Sequence, residues 1–312
     1  MAWNVRGSSP SAPASPAAVM LHVGAHKTAS THLQKTLFFN RDVLADQGCV
    51  YLGPDRLRRD LRIPGLHRRP KAISTRIKPL LEVVQAEQAA GRRLLLSDEN
   101  IMGGGPKPPA LAQGEVLYPK LQSQITVLLD ALELRDVTVC LALRNPIDLL
   151  VSAWGHQFRR GNVQEFNHFC EGISPLALRW SEVVLRLLSC AGVKDVLVWR
   201  HEDYASLLNP LLIALSGCRP DTALRIPERD GGSAFLIGPS ARAIELVPKL
   251  IADTPGLDAK VALRRAMRRF PKSHDHPAPQ PFRADEVARA RAQYQADWDK
   301  LACMTGVACL TP

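Results

Sequence analysis

Aromatic residues make up only 5% of the 312-residue chain, and its seven cysteines form no Cys-x-x-Cys pair. Few aromatics argue against recognition of single-stranded nucleic acid by base stacking, which needs exposed ring faces. An odd set of unpaired cysteines argues against a disulfide framework and points to free thiols in a reducing compartment. No run of about 18 apolar residues occurs, the length that a membrane-crossing helix requires. The first residues also lack the charged start and sustained apolar stretch of a secretory leader. The chain is therefore expected to be cytoplasmic, with no transmembrane segment. Residues 1–17, rich in Ser, Ala and Pro, have little to bury and read as a disordered tail. No internal repeat is visible.

What is present is a body, residues 18–312, of the size of one large domain. Apolar strands end near Gly24, Ser97, Leu143 and Arg200, and a short one covers residues 49–51. Helical patterns at 31–45, 73–90, 118–134, 146–160 and 175–191 alternate with them. This predicts an α/β fold of three layers, a central parallel sheet flanked by helices, with ligands at the C-terminal edge of the strands. From Asp203 onward the pattern is mostly helical with proline-rich breaks, which predicts a helical C-terminal part from about residue 240.

Two stretches carry chemistry. The first is an apolar strand, a turn at Gly24, and Ala25, His26, Lys27, Thr28, Ala29, Ser30 and Thr31 leading into a helix. A helix begins with backbone amides that lack intrahelical acceptors, and its dipole makes that end partly positive. An anionic ester placed there is bound by several amides at once, with Lys27 adding a full charge and Thr28, Ser30 and Thr31 adding hydroxyls. The expectation is a P-loop-like phosphate-binding loop, although the Walker spacing fails because Lys27 lies three residues after the only glycine. The second stretch is the β-rich run 137–143, which delivers Arg144 at its end. Asn145 suits a helix cap and Pro146 its first position. Asp148, Ser152 and His156 then share one helical face, so Arg144 and Ser152 are candidates to hold one phosphate.

In this order and spacing the two motifs resemble those of PAPS-dependent sulfotransferases of the bacterial and carbohydrate type. Their loop for the 5′-phosphosulfate, Gly-x-x-Lys-Thr-Gly/Ala-Ser/Thr-Thr, is matched by Gly24 to Thr31, with Ala29 where glycine often stands. Their 3′-phosphate motif, Arg-Asn/Asp-Pro and then Ser, is matched by Arg144, Asn145, Pro146 and Ser152. The continuation Ser152-Ala153-Trp154-Gly155-His156-Gln157, followed by Arg159, Arg160 and Gly161, is similar too, with Trp154 in place of tyrosine. The resemblance covers about residues 18–240. The Arg-Lys-Gly loop of cytosolic members is not visible, and 227–233 resembles its bacterial counterpart only loosely. Arg229 there is a candidate for the 3′-phosphate or a plain solvated arginine.

The resemblance implies PAPS as donor, no metal, and an acceptor hydroxyl on a glycan or glycolipid. It implies that Gly24 to Thr31, Arg144 and Ser152 bind the donor and that Lys27 and Glu99 are catalytic. Glu99 stands in Leu94-Leu95-Leu96-Ser97-Asp98-Glu99-Asn100, an apolar strand ending in two carboxylates. Asp98, His26 and His156 are alternative bases, and Asp98 with Glu99 also reads as a pair capping a helix. A P-loop kinase and a non-catalytic polyanion-binding protein are the rival classes. The net charge of +10 suits an anionic partner. It concentrates in Arg56, Arg58, Arg59, Arg62, Arg68 and Arg69, and in Arg264, Arg265, Arg268, Arg269 and Lys272, which otherwise read as solvated faces. No specific nucleic acid is expected as partner. His274-Asp275-His276 lies among prolines and reads as a surface loop, not a metal site.

Overall fold

Continuous apolar runs become a parallel sheet in the computed structural model, which describes residues 18–61, 70–227 and 237–312, with the backbone alone for 70–76. The tail at 1–17, Arg62, Arg68, Arg69 and Arg229 lie outside the described residues. β1 (Val19–Gly24) leads through α1 (Ser30–Phe39) and α2 (Arg41–Asp46) to β2 (Cys49–Leu52). α3 (Pro54–Leu61) and α4 (Pro70–Ala89) lead to β3 (Arg93–Ser97). A small antiparallel pair, β4 (Ala112–Gln113) and β5 (Val116–Leu117), precedes α5 (Leu121–Ala131), β6 (Val137–Leu143) and α6 (Pro146–Arg159). Next come α7 (Phe166–Phe169), α8 (Trp180–Leu188), β7 (Val193–Arg200) and α9 (Tyr204–Ser216). α10 (Ala241–Asp253), α11 (Ala259–Arg269), α12 (Ala284–Ala302) and β8 (Val307–Leu310) complete the chain.

Six strands pair in parallel in the order β2-β3-β1-β6-β7-β8. Val19 aligns with Leu94 on one side and with Val137 on the other. The connections leaving β1 and β6 run to opposite edges, and such a reversal opens a crevice at the strands' C-terminal ends. Alternation along β1 separates the layers: Leu21 and Val23 pack with Leu96, Val139, Ile125 and Leu149, while Met20 packs with Leu95, Leu33, Leu37 and Leu211. Helices therefore bury both faces, each leucine so removed from water contributing about 1.5–3 kcal/mol before entropy costs.

Several expected elements differ. The single helix over 31–45 is two, because buried Asn40 turns its amide to Thr36 O and Arg225 O, both at 2.7 Å, and accepts Arg225 N at 2.7 Å. The helix expected from 118 begins at Leu121, and Tyr118, with φ at 48°, stays outside it. The pattern at 175–191 divides into a single 3-10 turn, Pro175–Ala177, and α8. The C-terminal part ends in a strand, not a helix: β8 adds to the sheet beside β7. Among the described residues no helix is long and apolar enough to cross a membrane, and none of the seven cysteines is paired.

One long-range cap supports the candidate site. The first amides of α8, Trp180 N and Ser181 N, donate to the buried carboxylate of Asp297 on α12 at 2.6 and 3.2 Å. Trp180, fully buried, then donates its indole N–H to Arg144 O at 2.7 Å. Asp297→Ala strands two buried donors, so unfolding free energy is expected to fall by about 2–3 kcal/mol in a denaturant titration. Asp297→Asn, which keeps one acceptor oxygen, should lose about half as much. An unchanged midpoint in the alanine variant would remove Asp297 from this role.

Candidate functional site

Three adjacent strands, β3, β1 and β6, end on the same side and deliver Glu99, the loop 24–31 and Arg144. Within the loop, Ala25 N donates to Ala142 O at 3.1 Å and His26 N to the Tyr118 hydroxyl at 3.1 Å. Among the described residues, the next amides, from Lys27 through Thr31, donate to no acceptor. Lys27 and Ala29 adopt left-handed backbone angles, φ 63° and 65°. Left-handed residues between ordinary ones curl successive amides into a concavity that suits an anion, and residues with side chains hold that conformation at some cost. Gly24 is needed for another reason: at φ 105°, a Cβ there would come within 3.0 Å of Glu99 Cβ. Its bareness lets the end of β3 lie against the loop.

Two of the three loop hydroxyls are engaged within the loop itself. Thr28 Oγ1 and Ser30 Oγ both donate to Ala25 O, at 2.6 and 3.0 Å, and so brace the loop from within. Thr31 is half-buried in the first turn of α1.

Arg144 Nη1 donates to Lys27 O at 2.7 Å, which joins the two sequence motifs. Burial and the neighbouring charges of Arg144 and Arg159 lower the Lys27 pKa to about 8, with Glu99 partly opposing them. Asn145 caps α6 by accepting Ile147 N at 3.3 Å, and Pro146 takes the first position, as the sequence predicts. Ser152 is half-buried on α6, and one turn further His156 feels Lys27, Arg160 and Arg159. Burial first, then those charges, lowers the His156 pKa to about 4.

Glu99 is held from two sides. Gln34 Nε2 donates to Glu99 Oε2 at 2.8 Å and to Ser97 Oγ at 3.3 Å, and Ser97 pairs with His22 Nδ1 at 2.7 Å. Arg58 Nη2 donates to Glu99 Oε1 at 3.1 Å. Burial alone would raise the Glu99 pKa, but Gln34, its own backbone amide, His26 and Arg58 outweigh it and hold the carboxyl below its usual range. Asp98 is fully buried, takes two bonds from Arg58 at 2.7 and 3.0 Å, and caps the short turn after β3 through Asn100 N at 2.8 Å. Burial raises its pKa despite Arg58. Its oxygens are thus spent on architecture.

His26 is buried and neutral at pH 7, its pKa lowered to about 4 by burial against the opposing influence of Glu99 and Asn100. The Tyr118 hydroxyl accepts His26 N–H, which leaves its own proton for Nδ1 at 3.3 Å. Tyr118 in turn lies against Trp180, ring centroids 6.2 Å apart. Trp180 therefore supports the loop through Tyr118 and the second motif through Arg144 O.

Gln34, Tyr118, Trp180 and the clamp by Arg58 escape the sequence reading. Gln34 alone had a local signal, since it stands four residues after Ser30 and so on the same face of α1. Of the first arginine cluster, Arg56 and Arg59 pair with Asp60 at 2.5 and 2.9 Å, while Arg58 faces inward to the carboxylates. Among the described residues, no group of three or more His, Cys, Asp or Glu side chains is arranged to hold a metal ion. His274 and Asp275 are exposed, 3.7 Å apart. No family model matches this chain, and no curated protein matches it.

Proposed function

We propose that the chain is a sulfotransferase that moves a sulfuryl group from PAPS to an acceptor hydroxyl on a glycan or glycolipid. The observation that carries the reading is the 2.7 Å bond from Arg144 Nη1 to Lys27 O, which joins residues 117 apart in sequence. It unites an arginine at a strand end with a lysine-bearing loop whose amides from Lys27 through Thr31 have no acceptor among the described residues. A donor with a 5′-phosphosulfate and a 3′-phosphate fits this pair of cationic sites: the loop amides and Lys27 suit the former, Arg144 and Ser152 the latter. The seven unpaired thiols fit a cytoplasmic setting.

The donor supplies an activated sulfuryl group. The acceptor oxygen bonds to sulfur as the sulfur–oxygen bond to the 5′-phosphate breaks, and the hydroxyl proton passes to Glu99. Adenosine 3′,5′-bisphosphate leaves. Lys27 and the loop amides oppose the charge that grows on the departing oxygen, with donors fixed in place before reaction.

The test is calorimetric binding of adenosine 3′,5′-bisphosphate, 5′-AMP and ATP. The native chain should prefer the bisphosphate, and Arg144→Ala should weaken it at least tenfold, the worth of about 1.5–3 kcal/mol for a charged hydrogen bond. 5′-AMP affinity should change less than about twofold. Equal affinity for 5′-AMP and the bisphosphate would overturn the reading, and magnesium-dependent consumption of ATP would replace it with a kinase.

A further inference from the structure

α11 buries Ala262, Leu263 and Ala266 and exposes Arg264, Arg265, Arg268 and Arg269. Among the described residues, neither these four nor Lys260 makes an ion pair with any carboxylate. Elsewhere the fold does compensate its arginines: Arg283, just before α12, and Arg289, within it, both pair with Asp285, at 3.0 and 3.3 Å. Asp258, at the start of α11, accepts the backbone amides of Lys260 and Val261 at 3.0 and 3.1 Å. The helix dipole favours Arg268 and Arg269 in the last turn, but it disfavours Lys260 in the first and gives Arg264 and Arg265 nothing. Folding alone therefore does not account for this face.

The charge continues toward the candidate site. Lys260 lies beside Gly161, where a Cβ would come within 3.6 Å of Lys260 Cε, and exposed Arg160 precedes that glycine at the end of α6. Lys27 and His156 already feel Arg159 at the same end of α6. At about 1.5 Å per helical residue, Ser152 to Arg160 spans about 12 Å and Lys260 to Arg269 about 14 Å. A single anion needs two or three of these cations. A row of this length suits a linear polyanion, which it would attract and align by field as well as contact.

Stacking partners are scarce along the row. Half-buried Phe270 stands at its end, with the guanidinium groups of Arg242 and Arg269 5.9 and 5.5 Å from its ring centroid and His276 edge-on at 5.2 Å. Single-stranded nucleic acid, which gains much of its affinity from stacking, is poorly served. A carboxylated sugar chain offers anions for the arginines and hydroxyls for sulfation. Resting on the sulfotransferase reading above, we infer that the exposed face of α11, continued by Arg160, docks a linear acidic polysaccharide whose reacting sugar reaches the loop.

The experiment measures anisotropy of a labelled polyglucuronate oligosaccharide at low and raised salt, beside neutral dextran and a thymidine oligonucleotide of equal charge. The triple variant Arg264→Glu, Arg265→Glu and Arg268→Glu should bind the oligosaccharide at least about tenfold more weakly and with a shallower salt dependence. The alanine version should fall between, and thermal unfolding of both should match the native chain. Adenosine 3′,5′-bisphosphate should bind all three equally in calorimetry. No binding by the native chain, or equal binding by the glutamate variant, overturns the surface; an oligonucleotide bound as tightly and lost in the same variant overturns its partner class. α11-dependent binding of the oligosaccharide without any binding of the bisphosphate keeps the docking surface and removes the sulfotransferase reading.

Discussion

Lys27→Ala is expected to lower turnover about 10²–10³-fold or more, a loss typical of removing a donor that is fixed before the reacting charge develops. Lys27 is half-buried and feels the charges of Arg144 and Arg159, and its pKa of about 8 records that its charge is held at a cost in the absence of an anion. An anion offsets that cost, so binding and protonation are linked. Between about pH 7 and pH 8 the lysine is charged before the ligand arrives and the phosphates, whose second pKa is about 6, are fully ionised, so affinity should be flat with pH. Above pH 8 the free site loses its proton while the occupied site keeps it, so affinity should fall by up to tenfold per pH unit and binding should take up a proton. Calorimetry of adenosine 3′,5′-bisphosphate at pH 7 and pH 9.5, in buffers of different ionisation enthalpy, reads both effects. Lys27→Ala should abolish the uptake. A native chain with no uptake at pH 9.5 would mean that Lys27 does not meet the anion. Folding stability carries the same linkage with its own sign: a lysine whose pKa is lowered from 10.5 in the fold destabilises it below pH 8, and that penalty is relieved as pH rises toward 10.5.

The sheet was legible where it is buried on both faces. Leu94, Leu95 and Leu96 are all inaccessible, and such strands need continuous apolar sequence whatever their neighbours are. β8 was not legible for the opposite reason: Val307, Ala308 and Cys309 are only half-buried at a sheet edge, and four residues carry too little pattern to separate a strand from a helix end. The break at Asn40 depends on Arg225, a partner 185 residues away that no local pattern reveals. The site divides in the same way. Gly24, Lys27 and Arg144 stand at strand ends, where an alternating α/β pattern already directs attention. Tyr118 and Trp180 reach the site through tertiary packing, Tyr118 from a left-handed residue outside any helix. The bonds from Thr28 and Ser30 to Ala25 O were not legible either, because a hydroxyl's direction is unknown in sequence.

Glu99→Gln is expected to reduce turnover about 10²–10⁴-fold, the usual worth of a general base, while bisphosphate affinity changes less than about threefold. A carboxyl held below its usual range is a weak base toward a free hydroxyl. In the proposed transfer, however, the acceptor proton becomes strongly acidic as its oxygen bonds to sulfur, so what that step requires is an ionised proton acceptor already in place. Gln34 and Arg58 secure that state by donating to the two oxygens, at 2.8 and 3.1 Å. Gln34→Leu removes a bond made to the ionised form and should therefore raise the Glu99 pKa. The acid limb of kcat/KM should move to higher pH, with activity at the plateau changed much less than in Glu99→Gln. A purely structural loss at Gln34 would lower activity evenly across pH and leave the limb in place. Asp98→Asn separates the two carboxylates. Asp98 is enclosed by Arg58 and Asn100, so this variant should lose stability, and full turnover by Glu99→Gln alongside a collapse in Asp98→Asn at equal folded fraction would transfer the base to Asp98.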